Sequence, residues 1–247
     1  YPYTAGSTQL THILPPEFIE GGTAATIERL KGKANRDRLR DRIEKGGEGF
    51  DNIAGMVGWE NIIMSTLNTP ANKRFEGMTV QDIAKARGTD PVDCVCDMLI
   101  EENCAITMID FITCEEDIAR ILNCGFASVI SDSIYPASGR PHPRLYGTYA
   151  RIIQRFVGER RDMTLEAAVK AMTYTTAKAL NIADRGLLRE GLCADVNVFD
   201  PAEVKERGSY ADPDKCAAGM DYVFVNGKPA IAAGELTGGA FGQVIRR

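Results

Sequence analysis

Between residues 61 and 130, short apolar runs alternate with amphipathic segments, and this alternation constrains the fold more than any other feature of the chain. Asn61-Ile62-Ile63-Met64-Ser65 reads as a strand. Thr79 to Arg87 reads as a helix closed by Gly88, because glycine accepts the left-handed cap position. Pro91 opens a second helix, through about Glu102, since proline's missing N–H costs nothing in a first turn. A strand over Ala105 to Ile109, a helix over Glu115 to Asn123 and a strand over Ala127 to Ile130 follow. Strands alternating with helices predict an α/β fold with a parallel sheet covered by helices. About four such strands precede residue 132, short of the eight that close a (β/α)8 barrel.

Beyond residue 145 the pattern turns helical. Tyr146 to Gly158, Leu165 to Met172 and Thr173 to Leu180 read as three helices, with Thr164 as the N-cap of the second. From Gly186 the texture becomes β. Ala194 to Phe199 alternates, Tyr222-Val223-Phe224-Val225 is a strand, and Asn226-Gly227 is a strong hairpin signal. Ile231-Ala232 and Gly242 to Ile245 complete a small β module.

Composition excludes several function classes. The 247 residues carry net charge −5, which argues against nucleic acid as a main partner. The basic stretch Glu28 to Lys45 holds eight Lys/Arg but also four interleaved Asp/Glu, so it reads as a solvated amphipathic helix with Leu30, Leu39 and Ile43 as its apolar stripe. No run of 18 apolar residues is present to cross a membrane. No signal-like leader precedes Tyr1-Pro2-Tyr3, and the missing initiator Met reads as a processed or cut end. Seven cysteines without a Cys-x-x-Cys pair read as small buried hydrophobes of a reduced cytoplasm. Only His12 and His142 are available as imidazoles, so a site needing three or four cannot come from this chain alone.

Chemistry concentrates in three places. Ser131-Asp132-Ser133 puts a carboxylate directly after an apolar strand, where parallel barrels carry active-site groups. Such a carboxylate can bind a metal, or move a proton from water to a leaving group; it can also simply cap a following turn. The loop Arg140-Pro141-His142-Pro143-Arg144 is stiffened by two prolines, so an arginine there is a good bidentate anchor for a carboxylate. His142 reads as a packing or hydrogen-bonding residue, and His12, beside apolar Ile13-Leu14, as a packing one. Tyr1-Pro2-Tyr3-Thr4-Ala5-Gly6-Ser7-Thr8 presents hydroxyls around a turn that could complete an anion pocket.

With these residues in view the chain resembles the D-aminoacylases (N-acyl-D-amino-acid deacylases) of the amidohydrolase superfamily. Gly186-Leu187-Leu188-Arg189-Glu190-Gly191-Leu192-Cys193-Ala194-Asp195-Val196-Asn197-Val198-Phe199-Asp200, followed by Val225-Asn226-Gly227-Lys228, carries the superfamily pattern. Residues 1–8, Ser131-Asp132-Ser133 and His142-Pro143-Arg144-Leu145-Tyr146-Gly147-Thr148 carry the family pattern. The resemblance implies the C-terminal part of a (β/α)8 TIM-type barrel over 1–183, then part of a small β-sandwich over 184–247. It implies zinc-dependent hydrolysis of small-molecule N-acyl-D-amino acids, with Asp132 as catalytic residue and metal ligand. It also implies that Tyr1, Ser7 and Arg144 hold the substrate α-carboxylate.

The family's His-x-His pair, its cysteine ligand and its later histidines have no counterpart here, so most zinc ligands are expected upstream. The isolated chain is then expected to be inactive, with the missing N-terminal half or a homo-oligomer as its partner. A non-catalytic fragment is the competing reading. A dihydroorotase- or hydantoinase-like enzyme is a third, less favoured because residues 1–8 and 142–148 are not hallmarks of those enzymes.

Overall fold

A computed structural model describes residues 1–135 and 138–245. The chain forms two compact units, and the second is inserted into the first. One comprises Thr4–Thr113 and Ile134–His142; the other comprises Tyr1–Tyr3, Cys114–Ser133 and the chain from Pro143 onward. The 183/184 division expected from the sequence falls inside the latter unit.

The inserted unit holds strands β1 (Gly6–Gln9), β2 (Ile62–Thr66) and β3 (Thr107–Asp110) in the order β1-β3-β2. Its helices are α1 (Pro16–Ile19), α2 (Gly22–Lys31), α3 (Lys33–Lys45), α4 (Ile53–Val57), α5 (Val80–Arg87) and α6 (Pro91–Glu101). The basic stretch is helical but broken at Gly32, and Leu30, Leu39 and Ile43 are all buried. They join one core with Phe18, Met64, Ile83, Met98 and Met108.

Both strand pairs in this sheet are antiparallel, which corrects the parallel sheet expected from the alternation. The cause lies in the crossover. Between β2 and β3 the chain passes through two helices, α5 and α6, joined by Gly88-Thr89-Asp90. A helical hairpin returns the chain to the end it left, so the next strand runs back. A single helix would have given the parallel pairing.

Local signals hold well. Thr79 Oγ1 accepts from Asp82 N (3.1 Å), capping α5, and Gly88 closes it with φ +67°. Asp90 caps α6 by accepting from the N–H of Val92 and Asp93, with Pro91 next to it.

The other unit holds α7 (Glu115–Leu122), α8 (Arg144–Arg151), α9 (Leu165–Met172) and α10 (Tyr174–Ala179). Ile152–Glu159 continues α8 as a π-helix. Thr164 caps α9 through Ala167 N. Ile152, Phe156, Ala168 and Ala171 pack with Ile118 and Val129. Strands β4 (Val196–Val198), β5 (Tyr222–Val225), β6 (Lys228–Ala232) and β7 (Glu235–Leu236) make an antiparallel sheet in chain order, with Asn226-Gly227 turning β5 into β6.

Two expected strands are not formed among the described residues. Ala127 to Ile130 forms no strand and has no neighbouring strand to take up its backbone groups; Val129 N donates instead to Ala171 O at the end of α9 (3.0 Å). Gly242 to Ile245 likewise pairs with nothing, and Val244 is exposed.

Candidate active site

The candidate site is built within the unit that holds α7 to α10. Val129 is buried and tied to α9, which fixes the segment leading to Asp132. Asp132 itself has φ +51°, in the left-handed region that non-glycine residues enter at a cost. Its side chain keeps about half its surface exposed. Arg144 opens α8 immediately after Pro143, and its side chain is only 4% exposed. Arg144 Nη1 lies 3.0 Å from Asp132 Oδ2. The Arg144 guanidinium also stacks 4.3 Å from the centroid of the Tyr1 ring.

Two hydroxyls pin the backbone beneath this arrangement. Ser133 Oγ donates to Arg144 O (3.2 Å), and Thr148 Oγ1 donates to the same carbonyl (2.8 Å). Thus the loop end and the helix start are tied to each other, not only through the ion pair.

Of the residues singled out in the sequence, Asp132, Arg144 and Tyr1 therefore come together. Ser7 lies on β1, opposite Ile109, and belongs to the inserted unit. His142 is buried in that unit with Nε2 2.9 Å from Ala5 O, so it packs and hydrogen-bonds as expected. His12, expected to pack, is instead exposed and hydrogen-bonded to Thr8 Oγ1, since at this turn it is Ile13 and Leu14 that enter the core. Cys94, Cys96 and Cys104 are buried in the core, also as expected, and burial pushes the first two thiols up to about 11 and about 12. Cys114, Cys124 and Cys216 are exposed, against the expectation of buried hydrophobes, because they fall in loops and at helix ends that no apolar cluster covers.

Sequence reasoning missed a second cluster around Tyr3. Tyr3 Oη donates to Glu206 Oε1 (2.6 Å), and Arg151 Nη1 donates to Glu206 Oε2 (3.0 Å). Burial, then Glu206, holds the Tyr3 phenol far above its ordinary range, so it stays protonated as the donor. Arg151 also donates to Glu115 Oε1 (3.1 Å), beside Arg155 and Arg160. Arg155 foremost, with Arg151 and Arg160, holds the Glu115 carboxyl below the usual range against the opposing effect of burial. The one signal available in sequence was the spacing of Arg144 and Arg151, seven residues apart and so on one helix face.

Among the described residues no group of three or more His, Cys, Asp or Glu side chains could hold a metal ion. Asp132 is a single carboxylate engaged with a guanidinium, so these residues do not make a zinc site by themselves.

Residues 76–231 match the amidohydrolase family, more than half of the chain, and the chain belongs to that family. Within it the similarity is to deacylases of D-amino acids. The chain is 36% identical over 173 residues to a D-aminoacylase of Alcaligenes xylosoxydans xylosoxydans, covering 70% of this chain and 34% of that one. It is 36% identical over 228 residues to the N-acyl-D-glutamate deacylase of the same organism, covering 91% and 45%. A crystal structure of D-aminoacylase superimposes over 100% of this chain and 42% of its own, with TM-score 0.72 and 28% identity. The N-acyl-D-glutamate deacylase of Bordetella bronchiseptica, complexed with zinc and a phosphonate mimic of the tetrahedral intermediate, gives TM-score 0.73, 29% identity and the same coverage. The chain spans under half the length of these relatives.

Proposed function

We propose that the complete protein hydrolyses the amide bond of N-acyl-D-amino acids, releasing a carboxylate and a D-amino acid. The observation that carries this reading is the meeting of Asp132, Arg144 and Tyr1 at the end of an apolar segment. In this reading Asp132 takes a proton from the attacking water and delivers it to the departing amine. Arg144 is the carboxylate anchor, since its fork of N–H donors matches a carboxylate and its ion-pair partner is half solvated. Tyr1 backs that guanidinium; for Ser7, in the other unit, a carboxylate-binding role is proposed from the family resemblance alone.

Zinc is proposed from the relative whose structure contains it. In this reading Asp132 is the one ligand assigned to it in this chain, and the resemblance assigns the others to upstream segments of the complete protein. The finer architecture is proposed as well: residues 1–183 as the C-terminal part of a (β/α)8 barrel and 184–247 as part of a small β-sandwich. The exposed Phe126 and Ile130 support a partner surface there, which the remaining barrel would cover. A cytoplasmic location is supported by cysteines that are all free, and no helix among the described residues is long and apolar enough to cross a membrane.

The test is a panel of N-acetyl-D-amino acids given to the complete protein, each with its L enantiomer. Turnover of D substrates at least about 100-fold above L, the equivalent of one or two charged hydrogen bonds, is expected. Absence of D-substrate hydrolysis, or equal rates for both enantiomers, would overturn the reading.

A further inference from the structure

Tyr1 touches Arg144, but the backbone that presents Tyr1 is held from elsewhere. Arg151 Nε donates to Pro2 O (2.7 Å), and the same guanidinium stacks 4.8 Å from the Tyr3 ring centroid. Its Nη1 and the Tyr3 hydroxyl converge on the two oxygens of Glu206. Tyr3 is 3% exposed, and Tyr210 meets it edge-on at 6.5 Å. All these residues lie in one compact unit.

The helix explains the arrangement. Arg144, Gly147 and Arg151 share one face of α8, at spacings of three and four. Arg144 takes the Tyr1 ring at one end of this face and Arg151 takes Pro2 and Tyr3 at the other. Gly147 between them is a close approach: a Cβ there would lie 2.5 Å from Tyr3 Oη and 2.9 Å from Glu206 Oε1. Any side chain at this position would make Tyr3 or Glu206 shift away from the helix.

We infer that Arg151, Glu206 and Tyr3 are positioning residues that hold Tyr1 against Arg144 and thereby set selectivity for substrates bearing an α-carboxylate. The inference rests on the function proposed above and assigns its carboxylate preference to a specific support. No member of the cluster touches the reacting atoms. Glu206 is the key member, because its two oxygens join the ring hydroxyl to the arginine that grips the backbone.

The experiment uses the complete protein and two substrates, an N-acyl-D-amino acid and the matching N-acyl amine that lacks the carboxylate. The readout is the ratio of their kcat/KM values. Glu206→Gln is expected to lower this ratio about 10-fold, the scale of one charged hydrogen bond, with the loss in KM for the acid. Tyr3→Phe keeps the stacked ring but loses the bond to the Glu206 carboxylate, and is expected to lower it about 10-fold too, as a hydrogen bond to a charged group would. In an Arg144→Ala background Glu206→Gln is expected to lower it no further, since its effect on the carboxylate runs through Arg144 and the two changes are then not additive. An unchanged ratio in both variants, including a parallel fall for both substrates, overturns the inference. A full additional drop in the Arg144→Ala background overturns it too. If the parent protein itself shows no preference for the acid, the proposed function fails and this inference with it.

Discussion

Glu102 and Asp132 are both carboxylates at the ends of apolar segments, and their surroundings could hardly differ more. Glu102 follows α6 in the inserted unit and is 3% exposed. It accepts from Asn68 N (2.6 Å), Thr69 N (3.1 Å), the Thr69 hydroxyl and Asn72 Nδ2 (2.9 Å). Burial raises its pKa, but these donors outweigh that and hold the carboxyl below the ordinary range. Asp132 has half its side chain in solvent, a left-handed backbone and an arginine beside it. A carboxylate whose lone pairs are filled by nearby donors fastens a loop. A carboxylate held by strained backbone next to a buried cation is placed to meet something from outside. A sequence shows two acids; the difference lies in who donates to them.

The contrast can be broken at either end. Asp132→Asn in the complete protein should lower kcat about 1,000-fold, within the range of general acid–base contributions. Steady-state kinetics on the best D substrate checks this. Arg144→Ala should lower kcat/KM about 100-fold, mainly through KM, because carboxylate binding is made in ground and transition states alike. A larger effect on kcat than on KM would move Arg144 from anchor to chemistry.

Glu102→Gln should leave kinetics near the parent and cost about 1–3 kcal/mol of stability, since an amide turns one acceptor into a donor facing N–H groups. Chemical denaturation measures it, and unchanged stability would erase the distinction drawn above. The smallest effect is in pH. Glu102 and Glu115 both have depressed folded-state pKa values. Such groups contribute stability that is present above the unfolded value, about 4.3 for Glu, and is lost as pH falls through the folded value. Melting temperature should therefore be insensitive to these groups from about pH 6 to 8 and fall below about pH 4. Stability that rises on acidification would contradict the hydrogen-bond account of both.

What was legible in the sequence was local. Thr79, Gly88, Pro91 and Thr164 mark helix ends because caps act within three or four residues. Asn226-Gly227 marks its hairpin for the same reason. Strand pairing was not legible. The apolar runs of β2 and β3 fit either direction, and the α5–α6 hairpin decides between them. Ala127 to Ile130 has strand composition, but a strand needs a neighbour, and none of the described residues supplies one. At the site, Asp132 and Arg144 could be read because each carries its signal in adjacent residues: an apolar run before one, prolines around the other. Glu206 carries none. It lies in a loop, 203 residues from the tyrosine it accepts from and 55 from its arginine.

The most direct test is made on one preparation of the Asp132→Asn protein, by measuring its melting temperature and zinc content alongside its turnover. The expected result is a parent-like melting temperature and largely retained zinc with turnover lost, which places the defect in proton handling. Near-parent turnover would contradict the assignment of Asp132, and loss of turnover only together with melting temperature would show that it holds the fold and not the reaction.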